Sequence, residues 1–217
     1  MKTRIIETTD GIQGEADVAR FDQMQRHLRD KGWIGTDRLL AFGINGGVAL
    51  EIGPGPGYLG LEWLSKTDGT SIRAVEISPN MIAVAQKNAA EYGLLPRVEY
   101  RLGRAEEIPF DDGTFDAVFS NGSLHEWSDP LQAFHEIHRV LKHDGRYAIT
   151  DLKRNMNPLA HLFLKITVKP KEMQPGLQSS IQAAYTKKEI EKIVARTPLK
   201  SATVSESPIG LAITGRK

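Results

Sequence analysis

The 217-residue chain has no cysteine. Disulfides, cysteine-ligated zinc, thiol redox work and a cysteine nucleophile are therefore excluded. Charge of one sign is also lacking. Lys and Arg number 28 against 27 Asp and Glu, a formal net charge of +1. Nucleic-acid binding through bulk charge is not expected from such a balance. Long hydrophobic runs are missing too. The longest apolar patch, Pro158 to Val168, is broken by His161 and Lys165, and it falls far short of the roughly 20 residues that span a bilayer. The opening MKTRIIETTDG is too polar for a signal peptide. A soluble cytoplasmic protein is the expectation.

What is present is alternation. GVALEIG (Gly47 to Gly53) reads as a buried strand, and Tyr58 to Lys66 as a helix. SIRAVEIS (Ser71 to Ser78) is the next strand. A helix follows from Pro79 to Tyr92, with Ser78 as N-cap and Gly93 just past its end. RVEYRLG, FDAVFSNG and RYAITDL supply three more strands. Between the last two, Leu131, Phe134, Ile137 and Leu141 mark one face of a helix that Gly145 closes. Such βαβα order implies an α/β fold, a doubly wound parallel sheet with helices on both faces. Ligands of these sheets bind beyond the carboxyl ends of the strands.

The flanks divide the single domain further. Residues 1–45 form a helical cap, with Phe21, Met24, Leu28, Leu39 and Leu40 as apolar contacts. Residues 46–152 are the core, and 153–183 an insert with no clean period. Residues 184–217 hold a helix and a closing strand pair. Thr186 and Glu189 make a capping box for that helix.

The stretch Leu50 to Gly60, LEIGPGPGYLG, carries two overlapping patterns. Gly55, Gly57 and Gly60 spell G-x-G-x-x-G, the dinucleotide fingerprint. Glu51, Gly53, Gly55 and Gly57 spell E-x-G-x-G-x-G instead. Both turns let backbone N–H groups approach a ligand. Electrostatics separate them. Pyrophosphate is anionic, and Glu51 opposes it. S-adenosylmethionine (SAM) carries a sulfonium and an ammonium, which an acid suits. On this reading Gly60 is a small residue in the first turn of a helix packed on the sheet. Glu76, ending the next strand, can accept from ribose hydroxyls of either cofactor.

Together with VEISPNMI, GRAEEIPFDDGTFDAVFSNGSLHEWSDP and AFHEIHRVLKHDGRYAITDL, the glycine stretch resembles the core of class I SAM-dependent methyltransferases. The likeness is greatest to the small family that contains the ubiquinone/menaquinone-biosynthesis C-methyltransferases. It implies a Rossmann-like, seven-stranded sheet with an antiparallel last strand, and SAM as cofactor, with S-adenosylhomocysteine as product. It also implies roles. Glu51, Ile52, Gly53, Pro54, Gly55 and Gly57 would hold the methionine part. Glu76 would bind the ribose, with Ile77 and Met81 against adenine. Arg104, Ala105 and Glu106 would line the adenine edge, although the family often has an acid where Arg104 stands. Asn121, Gly122 and Ser123 would line the sulfonium end.

His125 is the candidate base, since a protonated acceptor can need one; a supporting structural role is the plainer reading. Glu126 could orient it or pair with a cationic substrate. Trp127 either walls the pocket or belongs to the core. His135 and His138 lie inside a helix at H-x-x-H spacing, which is not a zinc-protease pattern, so no metal is expected. In residues 153–173, apolar Leu159, Leu162, Phe163, Leu164 and Ile166 mix with lysines. An amphipathic helix packed on the domain is the plain expectation. A lid over the acceptor, or docking on an anionic membrane or a protein, are the others. The partner expected is a small-molecule acceptor, with no nucleic acid. The competing readings are an NAD-dependent oxidoreductase and a non-catalytic SAM-binding protein.

Overall fold

A computed structural model describes residues 3–7 and 11–217. The N-terminal cap holds α1 (Glu15–Asp30) and α2 (Thr36–Ala41). The core then alternates β1 (Val48–Ile52), α3 (Tyr58–Ser65), β2 (Ser71–Glu76), α4 (Pro79–Glu91), β3 (Val98–Leu102), β4 (Phe115–Asn121), α5 (Pro130–Val140) and β5 (Leu141–Leu152). The rest contains α6 (Pro158–Thr167), α7 (Gln174–Ala183), α8 (Lys187–Val194), β6 (Thr203–Glu206) and β7 (Gly210–Arg216). The strands form one seven-stranded sheet in the order β3-β2-β1-β4-β5-β7-β6. The first five run parallel, and β7 pairs antiparallel with both β5 and β6. This is the doubly wound, Rossmann-like sheet expected from the alternation.

Strand periodicity sorts the core into two layers. Leu50 and Ile52 of β1 face a cluster with Phe134 and Ile137 of α5 and Ile190 and Val194 of α8. Ala49 faces the other layer, with Trp63 and Leu64 of α3 and Leu39 of α2. Trp63 is fully buried and donates its indole N–H to the Ile44 carbonyl at 2.7 Å. Glu51 shares the parity of Ala49, so its side chain also enters the α3 layer.

The caps follow the expectations. Ser78 Oγ accepts from the Met81 amide, and Pro79 opens α4. Thr186 and Glu189 form a complete capping box on α8. Two expectations need correction. The helix before the fifth strand ends at Val140, and Leu141 already pairs with Phe115. Gly145 therefore lies buried within β5, where a Cβ would meet the Phe115 and Lys142 carbonyls, and is no helix stop. The insert also has regular structure: α6, capped by Asn157, and α7, each with a proline within its first turn. The expectation that its apolar residues pack on the domain fails. Leu159, Leu162, Phe163 and Ile166 are exposed.

Candidate functional site

The glycine loop joins β1 to α3 at the carboxyl edge of the sheet. Gly53 has φ 65°, and a Cβ there would lie 2.7 Å from the Ser123 Cβ, so only glycine lets the loop close on the end of β4. The Gly53 amide donates to Val75 at 2.9 Å, and Asn88 Nδ2 donates to the Pro56 carbonyl at 2.9 Å. Gly57, also left-handed, is the N-cap of α3. Pro54 is buried and Gly55 lies under Phe21 of α1.

Glu51 does not point out of the strand end toward a ligand. It lies beneath the first turn of α3 and accepts from the Gly60 amide. A Cβ on Gly60 would overlap its carboxylate and come within 2.8 Å of Ile72 Cδ1. Gly60 is thus small because Glu51 occupies the space above the sheet. Burial pushes the Glu51 carboxyl up to about 8, only partly offset by the Gly60 N–H, and the charge of Glu76 adds to the rise. A buried, protonated carboxyl braces the loop and offers little charge to a cation.

Glu76 ends β2 next to this loop. Its Oε2 accepts from the Gly55 amide at 3.0 Å, and Oε1 from the Ile77 and Ser78 amides at 2.9 and 3.0 Å. Burial raises its pKa, and the N–H groups of Ser78, Gly55 and Ile77 pull it back. Three of its roughly four lone-pair sites are filled. Beyond it, Gly11 packs on the Ile77 side chain, and Met81 is buried in the first turn of α4. Ala105 belongs to the core. Arg104 is exposed in a short antiparallel bridge with Glu107. Glu106 turns toward the start of α5, where it accepts from Ser128 Oγ at 2.9 Å and the Asp129 amide at 3.1 Å. Its carboxylate is thereby engaged at a helix entrance, where free N–H groups attract it.

At the end of β4, Asn121 Oδ1 accepts from Thr150 Oγ1 at 2.8 Å, and the Gly122 amide donates to the Thr150 carbonyl at 2.8 Å. Ser123 Oγ shares a 2.6 Å hydrogen bond with Ser120 Oγ and accepts from Trp127 Nε1 at 3.2 Å. Trp127 is a core aromatic, edge-on to Phe134. His135 and His138 sit on α5.

His125 lies in a 3-10 turn, Leu124–Glu126, and is buried. Its amide donates to Asp151 Oδ2 at 2.7 Å, and its Nδ1 lies 2.9 Å from both Asp151 oxygens. On the other side, Nε2 lies 3.4 Å from Glu7 Oε2 and 3.9 Å from Glu126 Oε1. Burial alone would lower the imidazole pKa. The Asp151, Glu126 and Glu7 carboxylates outweigh it and hold His125 up at about 9. Those carboxylates favour the imidazolium at neutral pH. Burial pushes Glu126 up to about 7, with part of the rise cancelled by His125 and part added by Glu7, Glu76 and Asp151. Glu7, His125 and Glu126 bring ligand-type atoms within 4.8 Å of one another. The protonated imidazole already supplies positive charge to that group.

Two of these groups were missed in the sequence. Asp151 stands at the end of the fifth strand, and that position is a usable signal. Glu7 has no such signal. Its segment reaches the site because Arg4 donates to the His125 carbonyl at 2.8 Å and stacks 4.1 Å above the Tyr185 ring.

The donor set has a consistent chemistry. Glu76, Glu126, Asp151 and Glu7 gather at the strand ends, and residues 51–65 contain no Lys or Arg. Such a pole fits a cationic sulfonium and ribose hydroxyls better than an anionic pyrophosphate.

Comparison with known proteins agrees. Residues 50–149 match the family model described as "Methyltransferase domain". The ubiquinone/menaquinone biosynthesis C-methyltransferase UbiE of Citrifermentans bemidjiense is 32% identical over 163 residues, covering 69% of this chain and 68% of that protein. A SAM-dependent methyltransferase from Aquifex aeolicus superposes with a TM-score of 0.69 at 20% identity, over 94% of this chain and 98% of its own. Haemonchus contortus phosphoethanolamine N-methyltransferase 2, solved with SAM, gives 0.58 at 25% identity over 74% of this chain and 35% of its own. The NAD reading finds no counterpart among these relatives. The chain belongs to the class I SAM-dependent methyltransferases.

Proposed function

We propose that the protein works in the cytoplasm and transfers the SAM methyl group to a small acceptor that gives up a proton, a carbon acid or phenol, held beside His125 and Glu126. The observation that carries this reading is the buried pair of Asp151 and His125, with the half-buried Glu126 beside it, at the ends of β4 and β5. When bound, SAM supplies an activated methyl on a sulfonium, and the residues supply position and proton handling.

The loop from Glu51 and Ile52 through Gly53, Pro54, Gly55 and Gly57 supports the methionine part. Glu76 re-aims its carboxylate to the ribose. Ile77 and Met81 flank the adenine, with Arg104, Ala105 and Glu106 along its edge. Asn121, Gly122 and Ser123 border the reacting end. Asp151 fixes the His125 ring through Nδ1, so that Nε2–H is aimed outward and can hold an acceptor oxygen as it becomes negative. Glu126 titrates near neutrality and takes the proton. His125 is then the electrostatic partner and Glu126 the base, a division that the UbiE relative's C-methyltransferase name also suits.

The test is methyl transfer from labelled SAM across a panel of phenolic and carbon-acid acceptors. Glu126→Gln is expected to lower kcat by about a hundredfold and remove the acid limb of the pH profile near 7. His125→Asn should lower kcat and leave SAM affinity unchanged. An unaltered acid limb in Glu126→Gln would remove the base assignment.

A further inference from the structure

The insert carries a surface that methyl transfer does not use. On α6, Leu159, Leu162, Phe163 and Ile166 recur at i, i+3, i+4 and i+7, one stripe of the helix. They are 78, 52, 52 and 65% exposed, whereas Ala160 on the opposite side is buried. Trp33, 52% exposed, extends the stripe from the loop after α1, with its ring 6.3 Å from that of Phe163. Five large apolar side chains turned to solvent in one place mark an interaction surface.

Charge says what covers it. Lys165 and Lys171 line a groove beside the stripe with His161, Gln174 and Gln178. Lys169 is exposed between them in sequence. Among the described residues, none of these three lysines makes an ion pair. Across residues 153–173 the only acid is Glu172. An apolar stripe with an aromatic pair, edged by free lysines, is the pattern of a helix lying in a bilayer interface, with lysines on phosphate headgroups. No helix among the described residues is long and apolar enough to cross a membrane.

We propose that α6 and Trp33 dock this protein peripherally on an anionic phospholipid bilayer. The apolar stripe enters the acyl boundary, and Lys165, Lys169 and Lys171 meet the headgroups. The insert begins just past β5, and the end of α7 is tied to the site by Arg4, which bridges the Ala183 and His125 carbonyls. Docking therefore places the rim of the site at the lipid surface. This inference rests on neither the cofactor nor the acceptor assignment.

The experiment is co-sedimentation with vesicles of phosphatidylcholine alone or mixed with phosphatidylglycerol, beside light scattering of the free protein. Binding is expected only to the mixed vesicles, and weaker at high salt. Lys165→Glu with Lys169→Glu should weaken it by at least about twenty-fold, roughly fivefold per lysine lost. Leu162→Ser with Phe163→Ser, both exposed positions, should abolish it with the fold intact by circular dichroism. Absence of wild-type binding at low salt, or binding unchanged by the charge reversal, overturns the proposal. So does a dimer that Leu162→Ser with Phe163→Ser splits in the absence of vesicle binding, which would make this face a subunit interface.

Discussion

The two ends of the site are built differently. On the cofactor side, every polar group named above is closed by a short-range partner. Glu76 takes three amides, Ser123 takes Trp127, and Glu51 takes the Gly60 amide. On the acceptor side, Glu7 Oε2 is buried without a hydrogen-bond partner, and α6 leaves its apolar stripe in solvent. That oxygen has no hydrogen bond, but it faces His125 Nε2 at 3.4 Å as an ion pair. The first end is finished by the fold itself. The second is left open by the fold.

The largest expected effect breaks the finished end. Glu76→Ala removes the only carboxylate of β2 at the strand edge and frees the Gly55, Ile77 and Ser78 amides. Charge-assisted hydrogen bonds contribute about 1.5–3 kcal/mol each. Losing two from ribose hydroxyls should weaken SAM binding by roughly a hundredfold or more. Calorimetry with SAM and S-adenosylhomocysteine reads this directly. An affinity within a fewfold of wild type would mean that Glu76 only braces the glycine loop.

The same division explains what could be read from the sequence. The finished end is local: strand, glycine turn, helix, with Ser78, Pro79 and Gly60 in positions that propensity and capping explain. Its spacing is visible in the order of residues. Glu51 was visible as an acid, but not its place under α3, which strand parity sets rather than nearness to the loop. The acceptor end is nonlocal. Glu7 and His125 lie 118 positions apart along the chain, numbers 7 and 125, and no period links them. The insert was read as having no clean period because the α6 stripe is only ten residues long and mixed with His161 and Lys165, and α7 is built largely of Gln, Ser and Gly.

A smaller effect sharpens the finished end. The folded Glu51 carboxyl, held at about 8, lies above its ordinary value near 4.5. A raised acid binds its proton more tightly when folded. Its stabilising contribution is complete below about 4.5 and is lost as pH rises through 8, at about 1.4 kcal/mol per pH unit at most. Glu51→Gln keeps the hydrogen-bonding shape and cannot ionise. Thermal melts of wild type and variant from pH 5 to 9 should therefore diverge, with wild type losing stability relative to Glu51→Gln as pH rises. Parallel curves would mean that Glu51 is ionised in the folded protein and that its charge is available to a cationic ligand after all.

The smallest effect belongs to the unfinished end. Phe163 touches Trp33 and is otherwise half in solvent. If the stripe were part of the core, Phe163→Ser would cost about 3–5 kcal/mol, as large-to-small changes of buried aromatics do. An exposed ring gains little on folding, and its removal should change stability by no more than about 0.5 kcal/mol. Denaturant titration gives the number. A loss of several kcal/mol would mean that α6 folds back on the domain in solution, which would close the surface and bring the two ends of the site to the same state of completion.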